Sequence, residues 1–258
     1  MLADDLDGVV NFRDFGGAVG AAGRRTPRGR MFRSGHHAAA TPEDLARLAE
    51  LDLALIVDLR RPAERQRDPA RRPASTRARI LEHDGPLEAA MAPHLAFLAM
   101  PDASAERVTE QMTAGYRGYP FDPHYVAVYR DYFAALAQID GAVLVNCHAG
   151  KDRTGFLCAL TLTVLGVGED EVFEDYLATN RHNRADGRVD ELAAQFLETH
   201  GKPVSTDLLR HVMMADAAYL RAAFDAINAA HGDVDVYLAE VLDVDTARRD
   251  AIHARWLA

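Results

Sequence analysis

Residues 146–154 read NCHAGKDRT, and this short stretch decides the fold of the chain. The apolar run 142–145 before it is typical of a buried strand, and the apolar run 156–167 after it is long enough for a helix. The pattern therefore predicts a strand, a tight loop and a helix. Cys147 would lie at the start of the loop and Arg153 in the first turn of the helix.

A loop of this kind brings a nucleophile to a place that attracts anions. The first N–H groups of a helix carry a partial positive charge, which favours bound anions and the thiolate form of cysteine. The guanidinium of Arg153 matches two phosphate oxygens at once, and the hydroxyl of Thr154 could donate a hydrogen bond to the sulfur of Cys147. The alternative is a structural cysteine beside an arginine in a turn. Gly150 within the loop and the helix signal after it favour the catalytic interpretation.

The composition limits the classes of function. The chain has 258 residues and a formal net charge of −10, which argues against nonspecific binding to nucleic acid. Apolar runs stay below the roughly 18 residues that a membrane span needs. The acidic start 1–5 lacks the basic and apolar parts of a signal peptide. We expect a cytoplasmic protein without a stable membrane anchor, with secretion without a signal peptide left open, and a single domain over residues 1–258.

The chain has two cysteines, Cys147 and Cys158. Their separation along one strand-loop-helix places them roughly 15 Å apart by helical rise. A disulfide needs Cα atoms within about 7 Å, so the two are not expected to pair. Neither has a second cysteine nearby, so a thiolate metal site is not expected, and we expect no metal and no organic cofactor.

Local patterns place further elements around the loop. Residues 11–17, NFRDFGG, favour a loop or an edge turn, and Thr41 followed by proline and acids is typical of a helix start. Residues 60–72 favour a loop or a short helix. Strands are predicted at 29–34, 53–59 and 78–82, and helices at 41–50, 123–138 and 169–181, with a helical pattern over 192–258.

Residues 85–123 look irregular, with two short helical patterns, and the part 86–117 could form a helical cap over the site. Apolar side chains there would cover a pocket or contact a lipid surface: Leu95, Phe97, Leu98 and Met100. Ordinary packing on the domain is the alternative.

Three further groups of residues are interpreted from their positions. The helix at 169–181 turns back towards the loop, so Asn180, Arg181, Asn183 and Arg184 would lie near the mouth of the site or at a solvated helix end. Asp58 ends a buried strand and is expected to be structural, orienting a loop residue such as Arg153 or pairing with Arg13 or Arg33. His36 and His37 are interpreted as surface imidazoles.

The sequence HAGKDRTG after Cys147 resembles the phosphate-binding loop of the cysteine-dependent protein tyrosine phosphatase superfamily. The segments NFRDFGG, RGRMFRSG and LALIVDLRRPAER resemble the bacterial tyrosine/serine protein phosphatase family, and the likeness covers nearly the whole chain. It implies an α/β fold with a central, mostly parallel twisted sheet flanked by helices, and extra helices that form a lid. Asn146 stands where that family usually has histidine.

The resemblance implies hydrolysis of phosphomonoesters through a phosphocysteine at Cys147, with Arg153 holding the phosphoryl oxygens. Asp152 is the general acid that the resemblance favours, and Asp84 and Asp102 are the alternatives. Further residues of the loop are expected to bind the phosphate of substrate, or free phosphate, sulfate or vanadate: His148, Ala149, Gly150, Lys151 and Thr154.

Phosphotyrosine is the expected substrate, because its long ring reaches a recessed thiolate. Phosphoserine, phosphothreonine and phosphoinositides are the further candidates. Lys151, one of only two lysines, adds a cation that suits a polyphosphorylated headgroup. The rival classes are a phosphate-binding pseudophosphatase or interaction module, and rhodaneses or arsenate reductases, whose loops do not normally read AGKDRTG.

Overall fold

The computed structural model describes residues 6–84, 98, 100 and 102–258. Within them five strands form one mixed sheet in the order β1-β2-β5-β3-β4. β1 pairs antiparallel with β2, and all other neighbours are parallel, which confirms an α/β fold with a mostly parallel sheet. The strands are β1 (Arg13–Asp14), β2 (Met31–Ser34), β3 (Leu53–Asp58), β4 (Arg79–Leu81) and β5 (Ala142–Asn146).

Helices flank this sheet and make up most of the second half of the chain. The α-helices of the described residues are α1 (Pro42–Glu50), α2 (Pro62–Arg67), α3 (Ala105–Gly118), α4 (Pro123–Leu136), α5 (Asp152–Val164), α6 (Glu169–His182), α7 (Ala185–His200), α8 (Thr206–Met213), α9 (Ala217–His231), α10 (Val234–Glu240) and α11 (Thr246–Trp256). In the part of the chain that the structure describes, no helix is long and apolar enough to cross a membrane.

The central strand β5 is buried along its whole length, and its residues 142–145 are apolar because both faces of the sheet are covered. Val143 and Val145 face a large core that includes α4, α5 and the C-terminal helices. Ala142 and Leu144 face a smaller core with residues of α1. A strand buried on both faces cannot shift easily, so the loop that follows β5 starts from a fixed point.

Most predicted elements are confirmed. Thr41 caps α1 as expected, and its side chain and that of Asp44 form a reciprocal capping box. The segment 11–17 is not only a turn, since it contributes the edge strand β1. Of the loop or short helix expected in 60–72, the structure shows the helix α2.

Of the two short helical patterns expected in 85–123, the described part contains one helix, α3, which is 14 residues long. It packs on the C-terminal helices, with Thr109 Oγ1 2.8 Å from His211 Nε2 on α8. Leu98 is buried and Met100 is half exposed. Residues 86–97, 99 and 101 of the expected cap, Leu95 and Phe97 among them, lie outside the described residues. A cap over 86–117 and a single domain over 1–258 stay predictions.

Candidate active site

Cys147 lies at the carboxyl end of the central strand β5, and five residues separate that strand from α5. Its side chain is buried, with a relative exposure of 2%. The carboxyl ends of parallel strands are where open α/β sheets bind ligands. The predicted strand, loop and helix are therefore present, and the loop lies where a ligand site is expected.

The backbone carbonyls of the loop are held from outside by distant residues. Asn11 Nδ2 donates to Gly150 O at 2.7 Å and to Ala149 O at 3.3 Å, and Arg33 Nη2 donates to Gly150 O at 3.0 Å. In a trans peptide the C=O and the following N–H point in opposite directions. The N–H groups of Gly150 and Lys151 are thereby turned towards the inside of the loop, where an anion would sit.

His148 continues this arrangement. Its carbonyl accepts from His36 N at 3.0 Å, which turns the N–H of Ala149 inward, and the two imidazoles lie 4.6 Å apart by ring centroid. Burial, followed by the neighbouring His36, lowers the pKa of His148 to about 4, so the ring is neutral at pH 7. A contact between His148 and phosphate would therefore have to come from its backbone and not from a charged ring.

The interpretation of His37 as a surface imidazole is wrong. Its side chain is buried, Nε2 lies 3.0 Å from Ser34 Oγ, and burial lowers its pKa to about 4. Its neighbour His36 is partly buried against His148, and burial and the charge of Arg60 lower the pKa of His36. Both rings line the turn between β2 and α1 that supports the loop.

Gly150 has a left-handed φ of 68°, and a Cβ on it would lie 2.4 Å from the backbone carbon of Ser34. A residue with a side chain would fit here only if β2 or the loop moved, because its Cβ would collide with the backbone of Ser34. The glycine of the motif is thus required both by its φ and by the contact with the end of β2.

Two buried arginines and one carboxylate support the loop from below. Asp175 on α6 accepts from Arg33 Nη1 at 2.5 Å and from Arg13 Nε at 3.2 Å. Burial and the neighbouring Arg33 lower the pKa of Arg13 to about 10, so it remains charged at pH 7. Burial would raise the pKa of Asp175, but the two arginines outweigh it and the pKa is lowered. Arg13 also donates to Asn11, which connects this cluster to the loop carbonyls.

Arg153 is oriented by a glutamate that sequence reasoning missed. Glu64 on α2 accepts from Nη1 at 2.6 Å and from Nη2 at 2.8 Å, and Leu59 O accepts from Nη1 at 3.2 Å. Burial alone would raise the pKa of Glu64, but the hydrogen bonds and charge of Arg153 lower it to about 2. Glu64 is therefore a carboxylate at every working pH. Because Glu64 binds both Nη atoms, the Nε edge of the guanidinium faces away from Glu64.

Asp58 does not pair with the residues that the sequence suggested. Its carboxylate binds Arg60, with 2.7 Å from Arg60 Nη2 to Oδ2, and accepts from Asn146 Nδ2 at 3.1 Å. Arg13 and Arg33 bind Asp175 and Arg153 binds Glu64, so only the structural character of Asp58 is as expected. The asparagine in the usual histidine place therefore connects β5 to a buried ion pair at the end of β3.

Asp152 and Lys151 begin α5, directly beside the loop. Tyr116 OH donates to Asp152 Oδ1 at 2.8 Å, and Lys151 Nζ lies 3.3 Å from the same oxygen. The Lys151 ammonium is buried, with Val212 O and Met214 O at the end of α8 as its acceptors. Its side chain is thus held by helix carbonyls and not presented to solvent.

The other two acid candidates lie in more open positions. Asp84 is 92% exposed and pairs with Arg65 at 2.7 Å, while Asp102 is 62% exposed and pairs with Arg107. Of the three aspartates, Asp152 is the one adjoining the loop.

The remaining predicted residues lie close to the loop or its supports. Thr154 is fully buried, and its Oγ1 has no hydrogen-bond partner within the described residues, so the hydrogen bond expected from it to the sulfur of Cys147 is not formed. Cys158 is free and buried, and burial raises its pKa to about 12. Across the described ranges, no group of three or more His, Cys, Asp or Glu side chains is placed to hold a metal ion.

The end of α6 reaches the segment that holds Lys151 through two of the four residues expected near the site, while Arg181 is exposed and Arg184 donates to Asp7 O at 3.2 Å. Asn180 exchanges two hydrogen bonds with Ala215, and Asn183 Nδ2 donates to Met213 O at 2.8 Å. These asparagines fix the chain around Met214, whose carbonyl receives the Lys151 ammonium. They therefore support the surroundings of the loop rather than face a ligand.

Comparisons with known proteins agree with this arrangement. The model of the tyrosine phosphatase family matches residues 4–258. A protein of Cupriavidus necator named as a tyrosine-protein phosphatase is 34% identical over 94% of this chain and 85% of its own length. The triple specificity protein phosphatase PtpB of Mycobacterium tuberculosis is 29% identical over 93% of this chain and 94% of its own. A tyrosine-protein phosphatase of Nostoc commune is 52% identical over 16% of this chain and 14% of its own. The chain therefore belongs to the tyrosine phosphatase family and is a protein-tyrosine phosphatase, a phosphoric monoester hydrolase.

Proposed function

We propose that the protein hydrolyses phosphotyrosine through a covalent phosphocysteine at Cys147. The thiolate attacks phosphorus while the bond to the phenolic oxygen breaks, and the phenoxide takes a proton from Asp152. Water then attacks the phosphocysteine, Asp152 takes its proton, and the thiolate leaves with inorganic phosphate formed. The observation that carries the proposal is the loop itself, with N–H groups turned inward around a buried thiol.

Arg153 is the proposed cation that holds the phosphoryl group. A guanidinium has five N–H donors, and the contacts with Glu64 and Leu59 use three of them. The remaining pair, one on Nε and one on Nη2, forms an edge that matches two phosphoryl oxygens. Backbone N–H groups from His148 to Arg153 and the hydroxyl of Thr154 complete the proposed binding set, which also suits phosphate, sulfate or vanadate.

The covalent step is tested by mass spectrometry of enzyme quenched during turnover of p-nitrophenyl phosphate. A phosphoryl group is expected on the peptide that contains Cys147, and Cys147→Ser should show neither this group nor turnover. A phosphoryl group on another residue, or turnover by Cys147→Ser, would contradict the mechanism. Phosphate binding without turnover by the wild-type protein would favour a pseudophosphatase instead.

The general acid is tested with three variants, Asp152→Asn, Asp84→Asn and Asp102→Asn. We expect the basic limb of the pH–rate profile to disappear only in Asp152→Asn, because this carboxyl lies beside the loop, whereas the other two are mostly exposed to solvent. Loss of that limb in Asp84→Asn alone would show that the assignment is wrong.

The substrate class is proposed from the depth of the thiol. A phosphotyrosine side chain is longer than that of phosphoserine and can reach the thiol of a cysteine residue that is only 2% exposed. The names of the two long relatives include tyrosine and triple specificity, so phosphoserine, phosphothreonine and phosphoinositides belong in the same panel. Phosphotyrosine peptide should give the highest kcat/KM, and equal values for phosphoserine would contradict the argument from depth.

Phosphoinositides are the second candidate, because Lys151 adds a cation to the loop. In the structure its ammonium is bound to carbonyls of Val212 and Met214, so contact with a headgroup would require these bonds to break. Lys151→Ala should reduce phosphoinositide turnover far more than p-nitrophenyl phosphate turnover if the side chain binds the headgroup. Equal losses would assign the side chain to holding α8. The cytoplasmic location expected from the sequence stays a prediction.

A further inference from the structure

Two tyrosines from helices outside the loop converge on the carboxyl group of Asp152. Tyr116 is on α3 and Tyr176 is on α6, and both side chains are fully buried. Tyr116 OH donates to Asp152 Oδ1 at 2.8 Å, and the two tyrosine oxygens lie 2.7 Å apart. Because the proton of Tyr116 points to the carboxylate, Tyr176 has to be the donor in the second bond.

The protonation of the two phenols fixes the direction of these two hydrogen bonds. Burial, followed by the charge of Asp152, raises the pKa of Tyr116 well above its usual range, and the same two causes raise that of Tyr176. Both phenols therefore keep their protons at any working pH. The hydroxyl of Tyr176 therefore donates to that of Tyr116, which in turn donates to the carboxylate of Asp152.

Close packing restricts the side chains of the two tyrosines. Gly155 on α5 touches the ring of Tyr176 so closely that a Cβ would lie 2.8 Å from ring carbon Cδ2. The ring of Tyr116 lies 5.7 Å from that of Tyr219 on α9. Both phenols are therefore fixed in the core, and the carboxyl group at the loop is held by them.

We propose that Tyr116, supported by Tyr176, is the positioning residue for Asp152 in phosphoryl transfer, an inference that rests on the proposed role of Asp152. As Asp152 gives its proton to the leaving oxygen, negative charge develops on its carboxylate. A fixed O–H donor at Oδ1 stabilises this charge as it forms and holds the carboxyl plane in one orientation.

Other ionisable groups also face Asp152. They are Lys151 beside it, Tyr119 after α3, Tyr219 on α9 and the two phenols of the chain. Lys151 contacts the same Oδ1 as Tyr116 at 3.3 Å. The variants below leave Lys151, Tyr119 and Tyr219 unchanged, so a shift can be assigned to the hydroxyl removed.

The test is Tyr116→Phe, measured as kcat/KM on two aryl phosphates whose leaving groups differ. Phenol has a pKa close to that of tyrosine, about 10, and needs the acid, while p-nitrophenol leaves readily without it. We expect kcat/KM to fall about tenfold on phenyl phosphate and less than about threefold on p-nitrophenyl phosphate. The basic limb of the pH profile should move to higher pH, because removing a donor to the carboxylate favours its protonated form. Tyr176→Phe should give the same pattern with a smaller loss.

Tyr129→Phe is the matched control. Tyr129 is a fully buried tyrosine of the same aromatic core, and its hydroxyl has no partner within the described residues. The Tyr129→Phe variant should have the kcat/KM and the pH profile of the wild type. Thermal unfolding of each variant shows whether it is folded, and should Tyr116→Phe fail to fold, Tyr176→Phe gives the result.

The outcomes separate the two proposals. If Asp152→Asn keeps wild-type kcat/KM on phenyl phosphate, Asp152 is not the acid and the tyrosines have no catalytic role. If Asp152→Asn is impaired but Tyr116→Phe and Tyr176→Phe lose activity equally on both substrates with the pH limb unmoved, only the positioning role is wrong. If the role is correct, adding Tyr116→Phe to Asp152→Asn should cause no further loss on phenyl phosphate.

Discussion

The ion pair between Glu64 and Arg153 allows a prediction that joins stability to activity. The exposed fractions of the two side chains are 12% and 13%, and both carboxylate oxygens bind the guanidinium. The change is Glu64→Gln, which keeps the shape, removes the charge and turns one acceptor into an NH₂ donor that faces another donor. Arg153 would then be a buried cation without its carboxylate.

The magnitude follows from the lowered pKa of Glu64, which falls from 4.5 to about 2 on folding. At about 1.4 kcal/mol per pKa unit, this shift corresponds to about 3 kcal/mol of stability. Because the folded pKa is the lower one, the contribution is complete above the unfolded pKa and is lost as the pH falls through 4.5 towards 2. Glu64→Gln should therefore be less stable at pH 7, and its stability should fall less than that of the wild type between pH 5 and 2.5.

Urea unfolding at several pH values measures how the stability of Glu64→Gln depends on pH. Glu110→Gln is the control, because Glu110 is exposed on α3. The second effect is kinetic, since Arg153 without its partner no longer presents its Nε edge in one orientation. A displacement of about 1 Å can cost roughly a hundredfold, so kcat/KM should fall between tenfold and a hundredfold. Parallel pH curves for variant and wild type, or unchanged kcat/KM, would refute the reasoning.

Two further changes test the supports of the loop. Asp175→Asn leaves Arg13 and Arg33 without their carboxylate, so urea unfolding should show a loss of about 3–5 kcal/mol, and a loss under about 1 kcal/mol would contradict the assigned ion pairs. Gly150→Ala places a Cβ 2.4 Å from backbone and should abolish turnover, whereas Gly23→Ala, with a similar φ of 73° and no atom within 4 Å, should cost only about 1–2 kcal/mol of stability with kcat unchanged. Equal effects of the two alanines on kcat would show that the contact at the loop is not what matters.

The strand, the loop and the helix around Cys147 could be predicted because their signals are local. Apolar runs before and after the motif set the two elements, and a glycine with a short loop between them leaves few other arrangements. The cap at Thr41 was predictable for the same reason, since the capping box involves residues three apart. Local periodicity and caps identify elements with little dependence on the rest of the fold.

The partners of the loop could not be predicted in the same way. Glu64 precedes Arg153 by 89 positions and Tyr116 precedes Asp152 by 36, and the chain offers 29 basic and 39 acidic residues as candidate partners. The NFRDFGG segment resembles that of a known family, but the roles of its residues depend on the edge strand β1, which is only two residues long and leaves no periodicity in the sequence. Lys151 shows the same limit, because its position in the motif suggested a ligand while its ammonium reaches the end of α8.

Charge balance explains how a chain of net charge −10 can bind an anionic substrate. Four cations lie in or directly behind the loop, and three carboxylates pair with them: Arg13, Arg33, Lys151 and Arg153 against Asp175, Glu64 and Asp152. Surface charges are screened over about 8 Å at physiological ionic strength, so the acidic exterior contributes little inside the loop. The inward N–H groups act at contact distance, and the surplus positive charge lies directly behind the loop in a buried space, where screening is weak. The local field therefore decides binding, and KM for a small aryl phosphate should depend on ionic strength much less than the net charge alone would suggest.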